Sequence, residues 1–328
     1  MHRDDLTDIK TNLNHNFVRT CHYTQDKYVY DLCDSLGIIV CEEVPNIKNQ
    51  AFSEDVQEQQ LREMIRRDRN HPSILFWSLG NETTNATDSK WAVEEDTTRF
   101  IHARHIYNNS AGDYVDHTDE DMDMENLLRC TVRGWYNKDV KPLEPQNNQE
   151  TGTEEFQHRM ARIMGASQRG RIDMGNGVMW LYADHGADRE YKYSPLKHVN
   201  PKGWVDAYRI PKYMYFLWQA NYCKTPMVFI HPHFWRKPYL GTVRDLTVDS
   251  NCDSVILKIN NTYKGTLYPT KDNFHTVTFN SIVIEQGTAE AIGYKKGTTI
   301  SSKITMADTA SNLVLSSNFL KANAAGNL

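Results

Sequence analysis

Carboxylates at the ends of buried strands are the residues of this sequence best placed to do chemistry. The run Arg69-Asn70-His71-Pro72-Ser73-Ile74-Leu75-Phe76-Trp77-Ser78-Leu79-Gly80-Asn81-Glu82 reads as an apolar strand, Ile74 to Trp77, that delivers an Asn-Glu pair to its carboxyl end. A second apolar run, Ile38 to Cys41, closes in the same way on Glu42 and Glu43. In a parallel α/β barrel the C-terminal strand ends carry the chemistry, and a carboxyl group there is suited to general acid or base work. A buried strand followed by an ordinary polar loop is the alternative that spacing alone leaves open. The acidic run Asp116 to Glu125 lacks the spacing and the glycine of a calcium loop and reads as a solvated β/α loop. Cys21, Cys33, Cys41, Cys130, Cys223 and Cys252 show no CxxC spacing, which argues for buried thiols rather than a zinc site or a disulfide scaffold.

The elements that must position these groups follow from periodicity. Asp5 to Leu13 has helical character, and Asn16 to Tyr23 reads as a short strand with a polar end. Lys27 to Leu36 sets Val29, Leu32, Cys33 and Leu36 on one stripe before Gly37 stops the helix. Ser53 is placed to cap a charged helix that runs to Arg69, with Leu61, Met64 and Ile65 inward. A helix over Asp88 to Ile106, strands at Tyr114-Val115 and Leu127 to Tyr136, a helix over Glu154 to Met164, a strand at Val178 to Tyr182 and a helix over Pro211 to Tyr222 continue the rhythm of parallel β/α units. After Thr225 the period becomes two. Val255 to Ile259, Thr276 to Phe279 and Ser281 to Ile284 alternate, with turns at Asn260-Asn261, Gln286-Gly287 and Lys296-Gly297, as in an antiparallel sandwich. The expected division is therefore a barrel over 1–225 and a sandwich over 226–328.

At 328 residues, 39% hydrophobic and 24% charged, the chain has the composition of a globular protein large enough for two cores. A net charge of −5 with scattered Lys and Arg gives no nucleic-acid footprint, and no apolar run is long enough for a membrane-spanning helix. The opening residues are too charged for a signal peptide, so location stays open between cytoplasm and periplasm.

The segment Arg-Asn-His-Pro-Ser, apolar strand, Trp-Ser-Leu-Gly-Asn-Glu resembles the acid/base segment of glycoside hydrolase family 2, most closely its β-galactosidases. The resemblance implies a (β/α)8 TIM barrel followed by an immunoglobulin-like sandwich, and hydrolysis of terminal sugars with retention. Such chemistry uses two carboxyl groups about 5 Å apart, one acid and one nucleophile. It assigns the acid to Glu82 and the nucleophile to Glu150, in Gln149-Glu150-Thr151-Gly152, with Glu144, Glu154 and Glu155 as competitors. It further implies sugar contacts from His22, in Arg19-Thr20-Cys21-His22-Tyr23, and from Asn81 toward the 2-hydroxyl. Tyr136 would orient the nucleophile, Trp180 would form the subsite floor, and Asn200, in Asn-Pro-Lys-Gly-Trp, would reach the ring. For Tyr136 a plain core role is the alternative.

The family's first barrel strand and N-terminal sandwich would precede Met1, so the expectation is a barrel lacking its first strand. On that reading the chain is a truncated product or one half of a split enzyme, completed by an N-terminal polypeptide or by oligomerisation and with little or no activity alone. Where magnesium-binding members carry a Glu-x-His pair, this sequence has Lys48 and Gln50, so no metal and no other cofactor is expected. The expected partner is an oligosaccharide, not nucleic acid or membrane. A non-catalytic carbohydrate-binding relic is the competing class. Galactose ranks above glucuronate because the Asn-x-Lys motif expected of β-glucuronidases is not evident.

Overall fold

Strand and helix alternate from the first residues onward. The computed structural model describes residues 1–47, 52–81, 88–102, 154–168, 181–186, 199–200, 202–231 and 234–307. In chain order its first elements are α1 (His2–Thr11), β1 (Phe17–Arg19), α2 (Lys27–Leu36), β2 (Ile39–Glu43), α3 (Glu54–Asp68), β3 (Ile74–Ser78), α4 (Asp88–Glu95) and β4 (Phe100–His102). The four strands form one parallel sheet in the order β1-β2-β3-β4. Helix α2 begins where the Asp26 carboxylate accepts the Tyr28 N–H at 2.8 Å, and it stops at Gly37 in the left-handed region. Ser53 occupies the cap position of α3, as its sequence suggests, but its side chain makes no capping bond there.

Alternation along the strands gives the sheet two faces. Val40, Ile74 and Trp77 pack with Val29, Leu32, Leu61 and Ile65 of the covering helices in one buried cluster. Each such side chain, once fully buried, contributes roughly 1.5–3 kcal/mol. The register slips between Val40 and Cys41 opposite Ile74 and Phe76, and Leu75 is left exposed. On the opposite face Phe76 stacks on Phe100, with centroids 5.5 Å apart, and meets Phe17 edge-on at 5.8 Å. Glu42 and Glu43, adjacent in sequence, therefore face opposite ways. Glu42 lies among the helices, accepting the Tyr30 hydroxyl at 2.8 Å; burial and then the neighbouring Asp68 carboxyl push it up to about 9. Glu43 faces the side of the phenylalanines.

The helix expected over Asp88 to Ile106 ends at Glu95, and Phe100–His102 is a strand instead. Asp96 breaks the helix. Its carboxylate takes the Thr98 N–H at 2.8 Å and hydroxyl at 2.6 Å, the Trp77 indole at 3.0 Å and the Arg99 guanidinium at 2.6 Å, a local alternative to helical bonding. The strands expected at Tyr114-Val115 and Leu127 to Tyr136 lie outside the described residues. Of Val178 to Tyr182 only Leu181 and Tyr182 are described, and neither is in a strand.

Next come α5 (Glu154–Gln168), the short pair β5 (His185–Gly186) and β6 (Val199–Asn200), and α6 (Tyr213–Tyr222). Helix α6 buries Met214, Tyr215, Leu217, Trp218 and Ala220 and is tied to α1. Asp8 of α1 accepts the hydroxyls of Tyr182 and Tyr215, each at 2.8 Å, and Asp5 takes Arg209 in a two-pronged pair at 2.9 and 2.8 Å. Leu13 is buried with Trp204 and Trp218.

The C-terminal strands are β7 (Val228–Ile230), β8 (Val243–Ser250), β9 (Ser254–Ile259), β10 (Thr262–Leu267), β11 (Thr276–Val283), β12 (Thr288–Lys295) and β13 (Thr298–Thr305). They form two antiparallel sheets, β10-β9-β12-β13 and β11-β8-β7, around a core that includes Leu246, Val248, Val255, Leu257, Ile259 and Phe279. The alternation read from the sequence in β9 places Val255, Leu257 and Ile259 inward. Asn260 and Asn261 both adopt positive φ, 47° and 67°, as a two-residue hairpin turn requires. The two runs expected on either side of Asn280 are one strand, with its register shifted between Phe279 and Ile282. A buried cluster joins this region to α5: His158 and His231 each approach Asp249 Oδ2 through Nε2 at 2.9 Å, and Thr276 donates to Asp249 Oδ1 at 2.7 Å.

Candidate active site

The last residues of β1 to β4 are Arg19, Glu43, Ser78 and His102, and they are linked side chain to side chain. Arg19 Nε donates to Glu43 Oε2 at 2.7 Å, Ser78 Oγ donates to the same oxygen at 2.8 Å, and His102 Nδ1 lies 2.9 Å from Ser78 Oγ. A carboxylate only accepts, so the single Ser78 hydroxyl proton goes to Glu43 and His102 Nδ1 must be the protonated nitrogen. His22 is held by the other carboxylate oxygen, Nδ1 to Oε1 at 2.8 Å, which fixes the same tautomer there. The Glu43 N–H donates to Thr20 Oγ1 at 3.0 Å. Glu43 is wholly buried and Arg19 nearly so. Burial alone would raise the Glu43 carboxyl, but the His22 bond and the Arg19 charge outweigh it and hold it at about 2.

Asn81 joins this cluster from the loop after β3. Its Oδ1 accepts from Arg19 Nη2 at 3.0 Å and its N–H donates to the Asn46 carbonyl at 2.8 Å, beside a parallel bridge between Ile47 and Asn81. Gly80 makes the approach possible. Its φ is +135°, and a Cβ there would lie 2.3 Å from the Asn46 carbonyl oxygen.

Among the residues expected to form the site, His22 and Asn81 thus meet on one charged pair, Arg19 and Glu43. Glu82 follows Asn81 directly in the chain but lies outside the described residues, as do Glu150, Tyr136, Trp180, Lys48 and Gln50. Asn200 is described in backbone only, in β6 opposite His185. The competing carboxyl of Glu154 accepts the Tyr213 N–H at 3.0 Å, capping α6 from outside. Sequence reasoning left Glu43 without a role and missed Ser78 and His102; the polar end of an apolar strand was a usable signal for Glu43 and Ser78, whereas His102 lies in a stretch that reads as helix. It also passed over Asn200-Pro201-Lys202, which has the Asn-x-Lys spacing and whose lysine is 2% exposed.

Metal-type ligand atoms converge at three places among the described residues: Cys21, His22 and Glu43; His158, His231 and Asp249; and Asp31, Asp34 and His71. At the first, the Arg19 guanidinium already neutralises Glu43 and would repel a cation. At the second, the carboxylate is saturated by donors from His158, His231 and Thr276.

A strand-end cluster of this kind on a parallel sheet can orient a sugar and a carboxyl acid, and comparison with known proteins bears on that chemistry. Residues 1–192 match the model for the TIM barrel domain of glycosyl hydrolases family 2, and residues 241–301 match a domain of unknown function, DUF4982. A β-galactosidase of Thermoanaerobacterium thermosulfurigenes is 28% identical over 309 residues, covering 86% of this chain and 42% of that protein. The β-glucuronidase of Homo sapiens is 26% identical, covering 67% of this chain and 40% of that one. An FMN-binding β-glucuronidase from Facaelibacterium prausnitzii L2-6 superposes with a TM-score of 0.75 at 23% identity, over 94% of this chain and 53% of its own. The chain spans about half the length, or less, of these relatives. With the family's barrel model extending over more than half of its residues, the chain belongs to glycosyl hydrolase family 2.

Proposed function

We propose that the chain carries the catalytic barrel, residues 1–225, of a retaining exo-β-glycosidase, followed by an immunoglobulin-like domain over 226–328. The observation that carries the reading is the Arg19-Glu43-Ser78-His102 chain across four strand ends, with Asn81 hydrogen-bonded onto it immediately before Glu82. Glu82 acts as general acid and base, and Glu150 attacks the anomeric carbon. Asn81, its amide oriented by Arg19, faces the 2-hydroxyl. His22, presenting an imidazole fixed in one tautomer, binds a further hydroxyl, and Tyr136, Trp180 and Asn200 complete the sugar subsite. The use Glu154 makes of its carboxylate, on the α6 backbone, supports Glu150 over it as nucleophile.

Terminal β-galactose is the sugar suggested by the Asn-Glu segment. A second reading, β-glucuronate, is favoured by Asn200-Pro201-Lys202, since a buried ammonium two residues from an amide is suited to a sugar carboxylate. Hydrolysis of a panel of chromogenic β-glycosides separates the two. Release from the galactoside alone supports the first, release from the glucuronide alone supports the second, and binding of sugars with no hydrolysis of any member, with or without the N-terminal polypeptide of a family member added, overturns the enzymatic reading in favour of a binding relic. Labelling with a fluorinated glycoside and peptide mapping tests the nucleophile, and label on Glu144, Glu154 or Glu155 overturns Glu150.

A further inference from the structure

We propose that Glu43 is a positioning residue of the glycosidase site: a buried counter-charge that neutralises Arg19 beside the acid/base segment and fixes which nitrogen of His22 carries the proton. The proposal rests on the glycosidase reading above and names a device within it.

The geometry is that of a hub. One carboxylate accepts three side-chain hydrogen bonds, from Arg19 Nε at 2.7 Å, His22 Nδ1 at 2.8 Å and Ser78 Oγ at 2.8 Å, and Arg19 Nη2 lies 2.5 Å away as an ion pair. Its only cationic neighbour at contact distance is Arg19, among the described residues. Other titratable groups facing it are His22 and Cys21 after β1, Cys41 within β2, and His102 of β4 through Ser78. Burial of the hub leaves little water to screen these charges.

Two consequences follow. Arg19 contacts Asn81, the residue preceding Glu82, and a guanidinium without a counter-ion there would favour the ionised form of any carboxyl group nearby. Glu43 offsets that field, so an acid at this strand end can keep its proton toward neutral pH. Secondly, with Nδ1–H committed to Glu43, the Nε2 of neutral His22 is an acceptor, so the imidazole recognises a hydroxyl as donor.

The test is Glu43→Gln, which keeps the shape and removes the charge. In the pH profile of kcat/KM on an aryl β-glycoside, the basic limb reports loss of the acid's proton. Removing the anion unmasks Arg19, lowers the acid's affinity for its proton and moves that limb to lower pH by about one unit. Arg19→Gln must move it the opposite way, which keeps the idea testable should Glu43→Gln not fold. Independently of turnover, 15N–1H NMR of histidine-labelled protein reads the His22 tautomer: protonated Nδ1 in the wild type, redistributed in Glu43→Gln. Profiles of both variants that superpose on the wild type apart from their height, or a His22 tautomer indifferent to Glu43, overturn the proposal while leaving the glycosidase reading intact. A wild-type chain that hydrolyses no glycoside even with the N-terminal polypeptide of a family member added overturns that reading instead, and the NMR measurement then decides the tautomer claim alone.

Discussion

Replacing Asp249 by alanine should loosen the attachment of α5 to the C-terminal sandwich more than any loss of apolar packing at that position could. The carboxylate is fully buried and accepts from His158 of α5, from His231 just past β7 and from Thr276 of β11. The two imidazoles meet edge to face with centroids 4.4 Å apart, so a second positive charge there has no cheap accommodation. Asp249→Ala removes the acceptor shared by the two buried imidazoles, while the Thr276 hydroxyl keeps the Phe274 carbonyl at 3.3 Å. Breaking a buried pair of this type costs about 3–5 kcal/mol. Asp249→Asn keeps one acceptor oxygen but turns an NH2 toward an imidazole N–H, so it should cost less, about 1–3 kcal/mol. The pH dependence has a defined sign. Burial lowers the His158 pKa below its ordinary 6.5, so the unfolded chain binds the extra proton first, and stability is complete above about pH 6.5 and falls below it. The slope for one such group is about 1.4 kcal/mol per pH unit. The two histidines hold the Asp249 carboxyl far below its ordinary 3.8, against the upward pull of burial, so its own contribution is lost only in stronger acid. Guanidinium unfolding between pH 5 and 8, with amide exchange of α5 and β8 followed in parallel, checks all three statements. A cost under about 1 kcal/mol for Asp249→Ala would refute the reasoning, as would stability that rises as the pH falls from 7 to 5 in a Glu42→Gln background, where the opposing contribution of Glu42 is removed.

Three further outcomes are expected. Glu82→Gln should abolish turnover of glycosides with poor leaving groups and spare activated aryl glycosides in part, since these need little protonation; equal loss on both counts against the acid role. Glu42→Gln should raise the unfolding midpoint at pH 8 and leave it unchanged near pH 4. Glu42 keeps its proton in the fold up to about 9 but loses it near its ordinary 4.5 when unfolded, so the wild type loses stability as the pH rises through that window. Gly80→Ala should cost about 1–3 kcal/mol and most of the hydrolysis, because the added methyl meets the Asn46 carbonyl and strains a positive φ; unchanged kinetics would contradict the role given to this turn.

Much of the barrel was legible because apolar runs such as Ile74 to Trp77 are bounded by strand-stopping polar residues, and α2 because its stripe ends at Gly37. Phe100–His102 was not, since Trp91 and Ala92 give a helical period that does not announce its end. The stop is the Asp96-Thr97-Thr98 turn, whose strength lies in bonds to Trp77 and Arg99. The sandwich turns were legible from Asn260-Asn261, whose residue types tolerate positive φ. In the site, alternation alone tells that Glu42 and Glu43 face opposite sides. What each meets is tertiary: Arg19 is 24 residues from Glu43 and Ser78 is 35, and no local pattern pairs them. Sequence could place a carboxylate at a strand end; it could not show that one of two neighbours is a neutral acid among helices and the other an anion at the site.

The tie between α1 and α6 has a consequence in time. Asp8 reaches Tyr182 and Tyr215 across separations of 174 and 207 residues, and Asp5 reaches Arg209 across 204. A ribosome adding about 5–20 residues per second makes those partners about 10–40 s after α1 has emerged. During that interval Leu13, buried in the finished fold with Trp204 and Trp218, lacks that cover, whereas Leu6 already has Val29 and Leu32 of α2 beside it. The helix synthesised first can settle on α2 early, but its side toward the later residues is among the last surfaces to be covered. Nascent chains halted shortly before Tyr182 should expose it to chaperones and proteases, whereas chains released after Tyr222 should not.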